Sequence, residues 1–136
     1  MIKVAGVLLR QNGKYLLQHR NDGHGVFEAG KYAVWGGVVD ENESYIAAAI
    51  RELEEETGVI LKTDDLKEIA IIRDEVIPIL SETKQKREFY IYLADINESI
   101  DVLCLEGQGI VSVNSLDDVH LDKLTTSLTE LRDSIG

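Results

Sequence analysis

Residues 2–10 and 14–20 are apolar, branched runs joined across Asn12-Gly13. Such runs predict strands, and Asn-Gly is the strongest short hairpin signal, because both central residues of a type I′ turn need positive φ. Residues 21–30 are polar and carry three glycines, which predicts a loop; residues 32–35 predict a short strand ending at Gly36-Gly37. Over residues 44–57 the spacing becomes helical. Ile46, Ile50, Leu53 and Thr57 fall at i, i+4, i+7 and i+11, one buried face. Gly58 stands where a helix C-terminal glycine belongs. Residues 59–61, 66–73, 87–95 and 110–113 are further strand candidates, with 81–86 a polar connecting loop. Leu121, Leu124, Leu128, Leu131 and Ile135 then recur at helical spacing and predict a second helix. Strands with one helix near the middle and one at the end predict an α+β fold, an α/β/α sandwich.

Length and charge narrow the function. A chain of 136 residues predicts one domain spanning 1–136, and 44% hydrophobic residues suffice for one core. Fourteen basic against 25 acidic residues give a net charge of −11. A chain this acidic repels phosphate backbones and anionic membranes, so neither nucleic acid nor a membrane is an expected partner. Small phosphorylated ligands remain open, because a bound metal inverts local charge. Cys104 is the only cysteine, so no intrachain disulfide forms, which suits a reduced, cytoplasmic protein. No run approaches the roughly 18 apolar residues of a membrane span. Residues 2–9 include Lys3 and precede no small-residue cleavage site, so they read as a strand and not as a signal peptide.

The charge is concentrated. Between positions 40 and 56 lie seven acids (Asp40, Glu41, Glu43, Glu52, Glu54, Glu55, Glu56) and one base, Arg51. At about 100° per residue, Glu56 lies about 40° to one side of Glu52 and Glu55 about 60° to the other. The three carboxylates share a helix face, with no Lys or Arg interleaved on it and with Ala48 and Ala49 one turn earlier. Glu54 points elsewhere. A solvated acidic face fits poorly, since like charges at i,i+4 destabilise a helix and acids in its last turn oppose its dipole. A divalent cation relieves both penalties. All-oxygen ligands suit Mg²⁺ or Mn²⁺, and the small alanines are expected to leave space for its cargo.

The segment Gly37, five residues, Glu43, seven residues, Arg51-Glu52-Leu53-Glu54-Glu55-Glu56-Thr57-Gly58-Val59 resembles the Nudix box, G-x₅-E-x₇-R-E-U-x-E-E-x-G-U with U a bulky aliphatic. All nine specified positions match. The layout of a short Nudix domain is similar over most of the chain: an N-terminal hairpin, a strand with two glycines before the box, a mixed sheet and a C-terminal helix. The resemblance implies metal ligands at Glu52, Glu55 and Glu56, with the Gly37 carbonyl also reaching the metal. It implies orienting roles for Arg51 and Glu43, and a metal-site or base role for Glu106 in Glu106-Gly107-Gln108. Arg51, Glu55, Glu56 and Glu106 are thus the catalytic candidates. Two positions depart from the family pattern: Trp35 replaces the usual Pro before the glycines, and Asn42 replaces Gly ahead of Glu43. Asn tolerates a left-handed backbone and can stand in there.

Substrate-contact candidates are Arg20, at the end of the second hairpin strand; Phe27, in the glycine-bearing loop; Trp35, at the cleft strand; and Tyr90, on a central strand. Core packing is the competing reading for the three aromatic residues, and a solvated arginine for Arg20. Other chemistries fail on spacing. His19, His24 and His120 lack a zinc pattern, Gly23-x-Gly25 lacks the third dinucleotide-fold glycine, and there is no Gly-x₄-Gly-Lys loop. The resemblance implies hydrolysis of a nucleoside diphosphate linked to a group X, with a small-molecule nucleotide as partner and a homodimer open. Two substrate classes compete: nucleoside triphosphates, canonical or damaged, which one small domain favours, and nucleotide sugars of the ADP-ribose type. A non-catalytic nucleotide-sensing domain is the rival from another class, weakened by the intact box.

Overall fold

The structure, a computed structural model, describes residues 1–79 and 81–135. Strands β1 (Ile2–Gln11) and β2 (Lys14–His19) form the hairpin, and Asn12 and Gly13 have the positive φ, 51° and 75°, that its turn demands. After the loop come β3 (Tyr32–Ala33), β4 (Trp35–Val38) and helix α1 (Tyr45–Thr57). Strands β5 (Lys67–Val76), β6 (Gln85–Ile96) and β7 (Gly109–Val113) follow, then helix α2 (Thr126–Ile135).

Among the described residues these seven strands make one sheet, in the order β3-β2-β1-β6-β5, with β4 pairing β1 and β7 pairing β2. The β1–β6 pair is parallel and the others antiparallel, so the sheet is mixed and the fold is α+β. Alternation along β1 divides the core. Ala5, Val7 and Leu9 pack with Ala48, Ala49 and Leu53 of α1, while Leu8 packs with Leu128 and Leu131 of α2. The helices therefore cover opposite faces of the sheet. No helix among the described residues is long and apolar enough to cross a membrane.

Four sequence expectations change. The strand expected at 32–35 is two strands, because the chain changes partner at Val34, from β2 to β1, and Gly36 and Gly37 lie inside β4 opposite Gly6 and Ala5. Residues 59–61 form no strand; Val59 and Leu61 are buried in the core on the α1 side and Ile60 is exposed. The C-terminal helix starts only at Thr126. Leu121 belongs to a separate 3₁₀ turn, Leu124 bridges to Tyr32, and the Thr125 N–H donates to the Tyr32 carbonyl, so the chain is held extended just before the helix. The loop expected at 81–86 ends sooner, because β6 already starts at Gln85.

Candidate functional site

Helix α1 is set by its ends. The Ser44 hydroxyl accepts from the Ala47 N–H, and Gly58 adopts the left-handed φ of 78° while its N–H donates to the Glu54 carbonyl. Between the caps, packing fixes the rotation. Ala48, Ala49, Leu53 and Thr57 are buried against the sheet, and Ile46 and Ile50 only half-buried. The alanines thus fill the core and leave no room for cargo, contrary to the sequence expectation. Their smallness instead lets the helix lie close on β1 and β4. This rotation carries Glu56 inward: it is 2% exposed, whereas the Glu55 side chain is 56% exposed.

Arg51 organises the outer part of this face. Its Nε and Nη2 donate to the two Glu43 carboxylate oxygens at 2.8 and 2.9 Å, a bidentate pair. Its Nη1 donates to Glu52 at 3.0 Å and to Glu55 at 3.3 Å, and Nη2 also to the Val38 carbonyl at 3.2 Å. The expectation of an uncompensated acidic face is thereby corrected: the arginine reaches across the helix surface to two of the three carboxylates. The Arg51 guanidinium, with the Asp40 N–H, holds the Glu43 carboxyl down at about 2. Asn42, at φ 65°, makes the left-handed turn that brings Glu43 back to Arg51.

Glu56 has no such help. Its Oε1 is buried without a hydrogen-bond partner, the one such side-chain atom among the described residues. Burial raises its carboxyl to about 9, and the nearby Glu106 and Glu52 charges push the same way, against a small opposing contribution from the Gly36 N–H. Glu106 arrives there because the segment after β6 docks on the helix end: the Leu105 N–H donates to the Glu56 carbonyl and the Leu103 N–H to that of Thr57. Burial also raises Glu52, against the Arg51 hydrogen bond and charge and with the Glu55 and Glu106 charges pushing the same way. Gly37 forms the opposite wall. A Cβ there would stand 2.5 Å from the Glu52 carboxylate carbon, so only glycine lets strand and carboxylate meet. No three acidic, imidazole or thiol groups among the described residues already converge as a cation cage. The composition of the site nevertheless fits an oxygen-preferring divalent cation: all donors are oxygen, the Glu56 oxygen is orphaned, and the glycine cradle is bare.

Beyond Gly36 and Gly37, on the α2 side of the sheet, opens a cleft of about 310 Å³ with mostly apolar walls. Arg20 and Phe27 line it, and both also line a smaller polar cleft of about 220 Å³ with Glu106 and Gly107. The Arg20 Nε donates to the Phe27 carbonyl, tying the loop to the end of β2. Trp35 and Tyr90 lie elsewhere. Trp35 is wholly buried, with its indole N–H on the Leu16 carbonyl, and Tyr90 stacks on Tyr45 under α1, 4.0 Å between ring centroids. Neither lines the cleft, because both alternate onto the α1 face. Phe89 and Arg87 of β6 do line it, which the sequence reading missed; the β6 register, with Phe89 opposite Val4, is the signal that places them there.

Solved structures share this fold. A MutT NUDIX hydrolase from Burkholderia pseudomallei superposes with TM-score 0.79 at 23% identity, covering 99% of this chain and 98% of that one. A C. elegans Ap4A hydrolase binary complex gives 0.73 at 20%, over 99% and 95%. The E. coli dihydroneopterin triphosphate pyrophosphohydrolase gives 0.72 at 14%, over 98% and 91%. No curated protein shows significant sequence similarity to the chain. The NUDIX domain family model matches residues 1–131. With the box on α1 and its glycine against Glu52, the chain belongs to the Nudix hydrolases, enzymes that split the pyrophosphate bond of nucleoside-diphosphate-linked substrates.

Proposed function

We propose that the chain is a Mg²⁺-dependent pyrophosphohydrolase, with Mn²⁺ a competent substitute, whose substrate is a nucleoside triphosphate. The observation that carries this reading is the buried Glu56 carboxyl, one of whose oxygens has no partner, set beside Glu106, Glu52 and the backbone of Gly36. Glu52, Glu55, Glu56 and the Gly37 carbonyl would hold the cation. When bound it would neutralise the diphosphate and acidify a coordinated water. The chain's own residues do the positioning. Arg51 fixes Glu52 and Glu55 through its Nη1 and is itself anchored by Glu43. Glu106, close enough for its charge to bear on Glu56, would take the proton of the attacking water on a carboxylate oxygen, as a general base. Arg20 faces both clefts and supplies a positive charge toward the phosphate chain. The apolar cleft takes the nucleoside. Water adds across one P–O–P link, giving two phosphate products and a released proton.

The polar cleft beside Glu106 has room for a second group, which favours a nucleotide sugar as the alternative substrate. Hydrolysis of a panel of nucleoside triphosphates and nucleotide sugars, with and without Mg²⁺ and with products identified, separates the readings. Mg²⁺-dependent release of a nucleoside monophosphate and pyrophosphate from a triphosphate is expected. Turnover confined to nucleotide sugars would reverse the order of the two, and binding without turnover of any diphosphate would indicate a sensor.

A further inference from the structure

The apolar cleft contains a charged group that the hydrolytic site does not use. Arg87, at the start of β6, is 7% exposed and lines the cleft. Its Nε and Nη2 donate to the two Asp74 oxygens at 2.9 and 2.6 Å, and its guanidinium carbon lies 5.4 Å from the Phe89 ring centroid. That bond pattern uses only one of the two donor forks of a planar guanidinium, the one formed by Nε and Nη2. The other fork, an N–H from each of Nη1 and Nη2, has no acceptor among the described residues. Nη1 is also absent from the fully buried, unpartnered side-chain atoms, so it keeps contact with solvent, and Arg87 lines the cleft.

Asp74 and the stacked Phe89 fix the guanidinium plane in advance, so an incoming acceptor pair meets a rigid donor pair. A second anion is a poor occupant. Asp74 already balances the arginine charge, Glu28 lines the same cleft, and Glu130 is near enough to Asp74 for its carboxyl to be raised by burial and by that charge. A neutral, flat ligand with two adjacent acceptors matches both the donors and the apolar walls. Among nucleobases that pattern occurs on the O6/N7 edge of a 6-oxopurine and on the N3/O2 edge of cytosine. The apolar cleft, about 310 Å³, favours the larger two-ring base, and adenine is disfavoured by the donor at its 6-position.

We propose that Arg87, held by Asp74, is a specificity-determining residue that selects 6-oxopurine nucleotides, with guanine or hypoxanthine as base, in the apolar cleft. This deepens the reading of that cleft as the nucleoside site and rests on it. The selection acts on binding and needs no chemistry, so it is tested first by calorimetry with GMP, IMP and AMP. IMP and AMP differ only at the 6-position edge. GMP and IMP are expected to bind about tenfold or more tighter than AMP, a difference of the size one bidentate pair gives. Arg87→Met should abolish the preference while leaving AMP affinity within about threefold. Arg87→Met leaves Asp74 unpaired and can unfold the chain. The double variant Asp74→Leu/Arg87→Met removes both charges, keeps the core apolar and should also bind the three nucleotides alike. Equal affinity of the wild type for IMP and AMP, or a preference that survives in a folded variant, would overturn the proposal. Selective binding with no triphosphate hydrolysed would leave this proposal standing and defeat the hydrolytic one. Hydrolysis of ATP as fast as GTP at subsaturating concentration would defeat this one alone.

Discussion

Two carboxyl groups within eight residues of Arg51 meet opposite fates. Glu43, just before α1, is held by the arginine in a bidentate pair and stays ionised down to about 2, while Glu52 on the helix is also bonded to Arg51 but has its carboxyl raised by burial. Glu56, one turn on, is buried beyond the arginine's reach, has an orphan oxygen and holds its proton up to about 9. Charge counts cannot separate these positions. What separates them is the rotation of α1, fixed by Ala48, Ala49 and Leu53 packing on the sheet, which turns Glu56 in and leaves Arg51 on the outer side, where it meets Glu43. A folded protein keeps an unsatisfied buried carboxyl at a cost to stability, and such groups collect where chemistry needs them.

The sharpest way to break this contrast is to compare Glu56→Gln with Glu54→Gln. Glu54 is exposed and its side chain makes no hydrogen bond or ion pair among the described residues. Glu56→Gln should lower kcat by about 10²–10⁴, roughly 3–5 kcal/mol of barrier, and Glu54→Gln by less than about tenfold. Equal activity of the two folded variants at saturating Mg²⁺ would remove the distinction. Next in size is Arg51→Ala. It strips Glu43 and Glu52 of their donor, and thermal or urea unfolding should show a loss of about 2–3 kcal/mol, together with lost activity. A loss of activity with unchanged stability would mean that Arg51 acts on substrate and does not anchor the acidic face.

The smallest effects are pH slopes of metal-free stability, and they run in opposite directions. Glu43, lowered from 4.5 to about 2, contributes stability that is complete above pH 4.5 and lost as pH falls toward 2. Glu56, raised from 4.5 to about 9, contributes stability that is complete below pH 4.5 and lost as pH rises through 9. Melting temperatures of Glu43→Gln should therefore approach wild type on the acid side. Those of Glu56→Gln should exceed wild type by a few degrees on the alkaline side. Parallel melting curves at both extremes would show that the two carboxyls are not differently held.

Much of this architecture is legible in the amino-acid sequence. Asn12-Gly13, Ser44 and Gly58 each impose a local conformation that tertiary packing does not alter, and the box places its acids on one helix by spacing alone. The departures share a cause. Leu121 and Leu124 keep helical spacing, yet Leu121 lies in a 3₁₀ turn and the chain at Leu124 is held extended by Tyr32, a partner about ninety residues away in sequence. Val59 and Leu61 have strand-like alternation, but they pack as core residues after α1 and pair with no strand among the described residues. Trp35 and Tyr90 have substrate-like chemistry, but the face each occupies depends on strand register, which also brings Arg87 to the cleft. The burial of Glu56 is beyond the reach of sequence for the same reason: helical spacing groups side chains on a face without saying which way that face turns.

The proton on Glu56 gives the most direct test. Cation binding must ionise a carboxyl that the metal-free protein keeps protonated at neutral pH. Calorimetric titration with Mn²⁺ at pH 7.5, repeated in buffers of different ionisation enthalpy, counts the protons released. Wild type is expected to release about one per bound ion and Glu56→Gln none. Tight binding by wild type with no proton released, or the same release from Glu56→Gln, would contradict the assignment of the buried carboxyl as the seat of the cation.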